Sequence, residues 1–354
     1  MKAEEFIKGR GAQYNPANPY LKHEYVAEHI EGLDEPMLNN SKTEFFAEHP
    51  KKIVNKIDSP DLGLGYSLNP YQGCEHGCVY CYARNTHQYW GYGAGLDFER
   101  KIIVKENAPE VLAQQLESKS WQVMPIMLAG NTDCYQPIEA KKKITRRILE
   151  VLLQYRHPVS IITKNALILR DLDLLQELNK LDLVHVNTSI TSLDEKLRQK
   201  LEPRTASAAK RLEVVRQLSA AEIPVNVMVA PIIPGLNDSE IPQIIKQAAD
   251  AGASNAAYTI VRLNGSIGPI FEDWINEAFP DRAQKVLKQI ADCHGGKLSD
   301  SRFGTRMRGE GLFADTISKL FRISKQKYMA GRTMKPYNYS HFCTKSGKQL
   351  GLNL

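Results

Sequence analysis

Residues 73–84 read GCEHGCVYCYAR and place three of the chain's six cysteines, Cys74, Cys78 and Cys81, in a C-x3-C-x2-C run. Thiols this close along a chain are a metal or cluster loop before they are anything else. Closely spaced thiolates, usually four, hold iron–sulfur cubanes. Three would leave one iron with an open position, which catalytic metal sites keep and structural ones close. Two other readings fit the same cysteines. One is a zinc ion with His76 or His87 as a further ligand; the other is a disulfide, which a reducing compartment disfavours.

At 354 residues, 42% of them hydrophobic, the chain is long enough for one large α/β domain with appendages and is not of disordered composition. The start, MKAEEFIKGRG, carries acidic residues without an apolar run, so no secretory signal is read there. No apolar stretch approaches the ~18 residues of a membrane span. The expectation is a cytoplasmic protein with no membrane partner. The net charge of +6 is unevenly placed: residues 316–354 hold eight Lys/Arg and no acid, so the remainder sums to −2 (6 − 8).

Residues 1–60 show no clear periodicity and are expected to form an extended segment with little regular structure. A short strand at 66–71 would deliver the cysteine loop. From Pro125 a rhythm sets in. Apolar runs at 125–129, 159–163, 184–190, 225–233 and 256–261 alternate with helical stripes such as Ile144, Ile148, Leu152 or Ile241, Ile244, Ile245, Ala248. Short buried strands alternating with amphipathic helices mean βαβ units and a parallel sheet, six units with the strand before the cysteines. Periodicity alone leaves open a doubly wound sheet or a partial or full α/β barrel. Residues 61–265 are expected to be this domain. Residues 266–354 read as a small helical C-terminal region that closes the barrel's open side, followed by an irregular basic tail.

In parallel α/β barrels, function gathers at the C-terminal ends of the strands. Here those ends are polar: Gly130-Asn131-Thr132-Asp133, Thr163-Lys164-Asn165, Asn187-Thr188-Ser189 and the turn Pro231–Gly235. One such end is usually a helix N-cap; four around one rim argue for a ligand.

The cysteine run with Tyr80 before its third thiol resembles the signature of the radical S-adenosylmethionine (radical SAM) enzymes. Further runs resemble a branch related to spore photoproduct lyase and DNA repair photolyase-like proteins: KGRGAQYNPANPY (8–20), GNTDCYQPIE (130–139), LEPRTASAAKRLEVV (201–215), VMVAPIIPGLND (227–238) and RFGTRMRGEGLFADTI (302–317). The resemblance implies a partial (β/α)6 barrel with the cysteine loop after the first strand. It implies a [4Fe–4S] cluster on Cys74, Cys78 and Cys81 whose open iron chelates S-adenosylmethionine. Reductive cleavage would then give a 5′-deoxyadenosyl radical that abstracts hydrogen from a substrate. An electron donor such as flavodoxin or ferredoxin is implied with it. Gly130, Asn131, Thr132 and Asp133 match the stretch that binds the cofactor's amino group, usually Gly-Gly-Glu. Lys164 and Arg204 are candidates for its carboxylate, Asn187 and Ser189 for the ribose, and Pro231 to Gly235 for the adenine. An ion pair of Arg204 with Glu202 is the plain alternative. The chain departs from the lyase where that enzyme has its hydrogen-donor cysteine: Gly130 stands there, and the nearby thiol is Cys134, expected to be no cluster ligand and either a hydrogen donor or inert.

Three further features remain. Cys293-His294 and His341-x-Cys343 would make a second metal site if the C-terminal region folded back on itself. Lys141, Lys142, Lys143, Arg146 and Arg147 open the helix after the second strand, either as a solvated face or near the active rim. Lys319, Arg322, Lys325, Lys327, Arg332 and Lys335, interleaved with Tyr328, Tyr337 and Tyr339, suit a nucleic acid held near the barrel mouth. The rival function classes are an iron–sulfur redox or scaffold protein without turnover, and a zinc-stabilised nucleic-acid binder.

Overall fold

The computed structural model describes residues 7–20, 42–61, 63 and 65–344. Its strands are β1 (Glu44–Glu48), β2 (Val54–Lys56), β3 (Tyr66–Leu68), β4 (Tyr71–Gln72), β5 (Lys101–Lys105), β6 (Ile126–Leu128), β7 (Val159–Thr163), β8 (Val184–Ser189), β9 (Val225–Ile232) and β10 (Asn255–Ile260). The main sheet runs β10-β9-β8-β7-β6-β3-β2. The six strands from β3 to β10 are mutually parallel, and β2 is antiparallel on the edge beside β3.

That order decides between the two architectures left open above. A doubly wound sheet reverses its strand order at a switch point; here the six parallel strands follow the chain without reversal. Crossovers of one hand then put the helices on one side of the sheet, as in a barrel. The two outer parallel strands, β3 and β10, do not pair, so the barrel stays partial.

The strands are short because both faces are buried. β7 (VSIIT) is buried at four of its five positions, as a parallel strand covered on both sides must be. The covering helices are amphipathic. Ile144–Gln154 buries Ile144, Ile148, Leu149 and Leu152; Ile241–Asp250 buries Ile241, Ile244, Ile245, Ala248 and Ala249. Side-chain caps start several of them: Ser207 accepts from the Lys210 amide, and Asp194 from those of Lys196 and Leu197.

The N-terminal segment is more ordered than expected. β1 pairs with β5, and β4 pairs with the other edge of β5, in a second small sheet. β1 and β2 both fall in the stretch read as lacking regular structure. They are too short for a period to show, and the partner of β1, β5, lies far along the chain.

The C-terminal region also differs. Helix Gly311–Met329 packs on helix Ile241–Asp250 and on β10, outside the barrel. The tail beyond it crosses the N-terminal ends of the strands. Arg332 donates to the carbonyls of Ala249 and Ala253, each at 2.9 Å, the Lys335 carbonyl lies 2.8 Å from His185 Nε2, and Tyr337 stacks on His185. The Cys343 amide donates to the Tyr155 carbonyl. The tail is therefore a strap across the bottom of the barrel, at the opposite end from the strand ends that were to bind ligand.

Candidate active site

A cavity of about 580 Å3 opens at the C-terminal ends of the parallel strands. Cys74, Cys78 and Cys81 all line it. The loop that carries them leaves β4 and is fixed from several sides. The Cys74 amide donates to the Phe98 carbonyl at 2.8 Å, that of Val79 to Leu201, and that of Arg204 to His76. Gly77 sits at φ +69°, a backbone conformation few side chains tolerate. Arg84, fully buried, reaches back to the Cys78 carbonyl at 3.0 Å and forms an ion pair with buried Glu99 at 2.6 Å. Glu99 in turn accepts the amides of Gly11 and Ala12, so the N-terminal segment is clamped to the loop.

A second buried pair lies beneath the loop. Glu202 and Arg211 are fully buried and ion-paired, and the Tyr80 hydroxyl donates to Glu202. Burial pushes the Glu202 carboxyl up, yet Arg211 and Lys164 outweigh it and bring it to about 2. This carboxylate therefore fixes Tyr80 and does not pair with Arg204. Arg204 is half-exposed, lies 3.6 Å from Glu75, and does not line the cavity.

The expected rim residues are mostly in place, but many of their polar atoms brace the rim itself. Asp133 accepts from Thr163 Oγ1 and from the Lys164 and Tyr135 amides, and lies 3.4 Å from His76 Nδ1. Burial raises its pKa, but His76 and these hydrogen bonds overcome that and hold it at about 2. Asn131 donates to Gln72 and Thr86, and Thr132 to the Tyr71 carbonyl. Asn187 spends its amide on Ser160 and the Ile161 carbonyl. The Gly130 carbonyl accepts from Tyr82. Ser189 and Pro231 line the cavity; Gly235 does not, and a Cβ there would meet Gln289 at 2.4 Å. Lys164 also lines the cavity, its ammonium 6.0 Å from the centre of the Tyr80 ring.

Several expected residues are not brought to this site. Cys134 is fully buried in the main core, with its carbonyl bonded to Thr145, and lines no part of the cavity. It follows Asp133 on a chain that has already turned behind the rim. Lys142 pairs with Glu106, Arg146 with Asp171 and Asp173, and Arg147 donates to the Glu106 carbonyl, so this run serves neighbouring loops instead of the rim. Cys293 and Cys343 stand on different elements, and His294 Nε2 is held by the Val261 carbonyl at 2.7 Å, so no second metal site forms from them. His87 is packed between Tyr92 and Phe98 away from the cavity. Both ring nitrogens of His76 are engaged, by Asp133 and by Asn165 at 3.3 Å, which leaves it poorly placed to complete a zinc site. All three loop cysteines are free thiols, so the disulfide reading fails.

The donor set fits a cluster. Burial pushes all three thiols up, and for Cys74 the neighbouring Asp133, Cys78 and Cys81 push further. Thiols so placed become thiolates when a cationic centre joins them. Among the described residues, no three His, Cys, Asp or Glu side chains are already gathered closely enough to hold a metal ion. Four lining groups the sequence reading did not single out are Tyr82, Arg262, Arg306 and Met228. Tyr82 lies within the cysteine stretch, and Met228 and Arg306 within the runs at 227–238 and 302–317 quoted above; Arg262 carries no local signal.

A model of the radical SAM superfamily matches residues 68–248, just over half of the chain. The chain belongs to the radical SAM superfamily. The chain is 35% identical over 234 residues to an uncharacterized protein of Mycobacterium tuberculosis, covering 65% of this chain and 69% of that one. It is 33% identical over 202 residues to an uncharacterized protein of Methanocaldococcus jannaschii, covering 57% and 72%. The fold resembles that of spore photoproduct lyase complexed with dinucleoside spore photoproduct, with a TM-score of 0.60 at 17% identity over 81% of this chain and 80% of the lyase. A lyase variant with bound AdoMet and the same dinucleoside gives 0.57 at 16% identity, over 81% and 79%. This radical SAM enzyme thus has the lyase's architecture.

Proposed function

We propose that this radical SAM enzyme holds a [4Fe–4S] cluster on Cys74, Cys78 and Cys81, binds S-adenosylmethionine across the strand ends, and abstracts hydrogen from an anionic substrate. The observation that carries this reading is the meeting of all three thiols on one cavity of about 580 Å3, within the usual range for small-molecule sites. When bound, the cluster and its open iron supply one-electron cleavage of the sulfonium to a hydrogen-abstracting radical. The chain's own residues position and enclose. Lys164 presents a cation for the cofactor carboxylate, and Ser189, Gly130 and Pro231 line its bed. The Arg84–Glu99 and Arg211–Glu202 pairs hold the loop in register, and the segment at Gly11 and Ala12 covers its outer side. In this reading residues 61–265 are the catalytic barrel, the described residues before it pack on its cysteine loop and edge strand, and those after it pack on its outside and bottom. An external reductant such as flavodoxin or ferredoxin delivers the electron, in the cytoplasm.

A nucleotide or nucleic-acid substrate is the finer reading. It is favoured by the likeness to a lyase solved with a dinucleoside photoproduct and by arginines among the cavity-lining groups. Arg332 and Lys335 of the basic tail have no part in it, because they lie at the other end of the barrel. Incubation of anaerobically reconstituted protein with dithionite and S-adenosylmethionine should yield 5′-deoxyadenosine and methionine. Full iron loading without any cofactor cleavage would instead favour the redox or scaffold class.

A further inference from the structure

Two cationic side chains face the cavity without a hydrogen bond or ion pair among the described residues: Lys164 and Arg262. They serve different ends of it. Lys164 stands over Tyr80, where its charge acts on Cys78 and Cys81. Arg262 follows β10, on the barrel's open side, where its charge acts on Tyr82. Beside it stands Arg306, from the loop that follows the helix Ala283–Asp292. Arg306 is already neutralised by Asp61 at 2.5 Å and donates to Ser59, so segments from both ends of the chain meet across the opening.

Arg262 has no such partner among the described residues. Burial lowers its pKa and the charge of Arg306 lowers it further, whereas the nearest acids are committed elsewhere, Asp61 to Arg306 and Asp300 to Arg302. A partly buried guanidinium with no counter-ion is costly. It is also a five-donor fork suited to a planar or tetrahedral oxyanion. Ser59 and Ser67 line the same cavity.

We propose that Arg262 is the substrate anchor of this site and binds a singly charged oxyanion of the substrate, a phosphodiester or a carboxylate, at the open side of the cavity. One uncompensated positive charge matches one negative charge. The inference rests on reading the cavity as the radical SAM site, with Lys164 serving the cofactor's own carboxylate and Arg262 left for the substrate.

The test measures binding by the reconstituted full chain of three probes: a thymidine dinucleotide with one phosphodiester, its uncharged methylphosphonate analogue, and an N-acetylated dipeptide bearing one carboxylate. The wild-type chain should bind one of the charged probes at least about tenfold more tightly than Arg262→Ala, with Arg262→Lys between them. The methylphosphonate should not distinguish wild type from Arg262→Ala if the dinucleotide is the ligand. Preference for the dipeptide would keep the anchor and assign the anion as a carboxylate. Affinity for S-adenosylmethionine should stay within about twofold in both variants, which also shows that they are folded. Equal binding of every charged probe by wild type and Arg262→Ala, or no binding of any, overturns the proposal. So does loss of S-adenosylmethionine affinity in Arg262→Ala, which would give this arginine to the cofactor. Failure of cofactor cleavage in the wild type would contradict the radical SAM reading, yet leaves the probe measurements readable.

Discussion

Glu202 shows how a single buried side chain holds the cysteine loop. It is surrounded by Arg211, Tyr80 and Thr191, and each of them donates to it. Removing the carboxylate strands the Arg211 guanidinium in the interior. Glu202→Ala is expected to cost about 3–5 kcal/mol in urea unfolding of the metal-free chain, and Glu202→Gln less. His157 makes a second residue-level prediction. Its Nε2 accepts from Trp121 at 3.2 Å and its Nδ1 lies 3.0 Å from the Pro158 carbonyl, which fits the neutral ring with Nδ1 protonated. Burial drives its pKa down to about 3. An unfolded histidine takes up a proton near pH 6.5, whereas the folded one refuses it until about pH 3. Stability must therefore fall as pH is lowered through that window, by about 1.4 kcal/mol per unit from this group. In His157→Gln, which keeps an acceptor for Trp121, unfolding free energies between pH 6 and 4 should lose that share of their slope. An unchanged slope would mean that His157 is protonated in the fold.

At the scale of elements, the N-terminal clamp depends on close backbone contact. A Cβ at Gly11 would lie 1.8 Å from the Gly77 carbonyl oxygen, and backbone cannot give way as a side-chain tip can. Gly11→Ala should detach the segment from the loop. Limited proteolysis should then cut near residues 7–20 much faster than in the wild type, while the barrel fragment persists. The elements legible in the sequence were those with a period. Ile144–Gln154 and Ile241–Asp250 announce themselves by buried residues three and four apart, and β7 and β9 by β-branched runs. β1 and β5 left no such trace, since five residues paired across a long sequence separation carry their information in the partner strand, and the strand expected at 66–71 is divided between β3 and β4. The site divides in the same way. Cys74, Cys78, Cys81, Lys164 and Ser189 were legible because their loop or strand end dictates that they face the cavity. Cys134 lies behind the rim, a placement that adjacency in sequence does not give, because it says nothing about which side of a turn a thiol takes. Arg262 and the Glu202–Arg211 pair stayed hidden because only folding sets their surroundings.

At the scale of the whole molecule, the barrel has two ends with different duties. The strand N-termini are closed by the tail through Tyr337, Lys335 and Arg332, and the strand C-termini hold the cavity. Removing residues 330–354 should therefore lower thermal stability yet leave cluster loading intact, since no described residue of the strap lines the cavity. The central claim is that three thiols, and no others, hold one four-iron cluster. Its most direct test is the iron and sulfide content of anaerobically reconstituted protein, compared across single alanine variants of all six cysteines. The account predicts about four irons and four sulfides per chain in the wild type and in Cys134→Ala, Cys293→Ala and Cys343→Ala, with the cluster lost in each of Cys74→Ala, Cys78→Ala and Cys81→Ala. Full iron and sulfide in any of those last three, or loss of iron in Cys134→Ala, would contradict it.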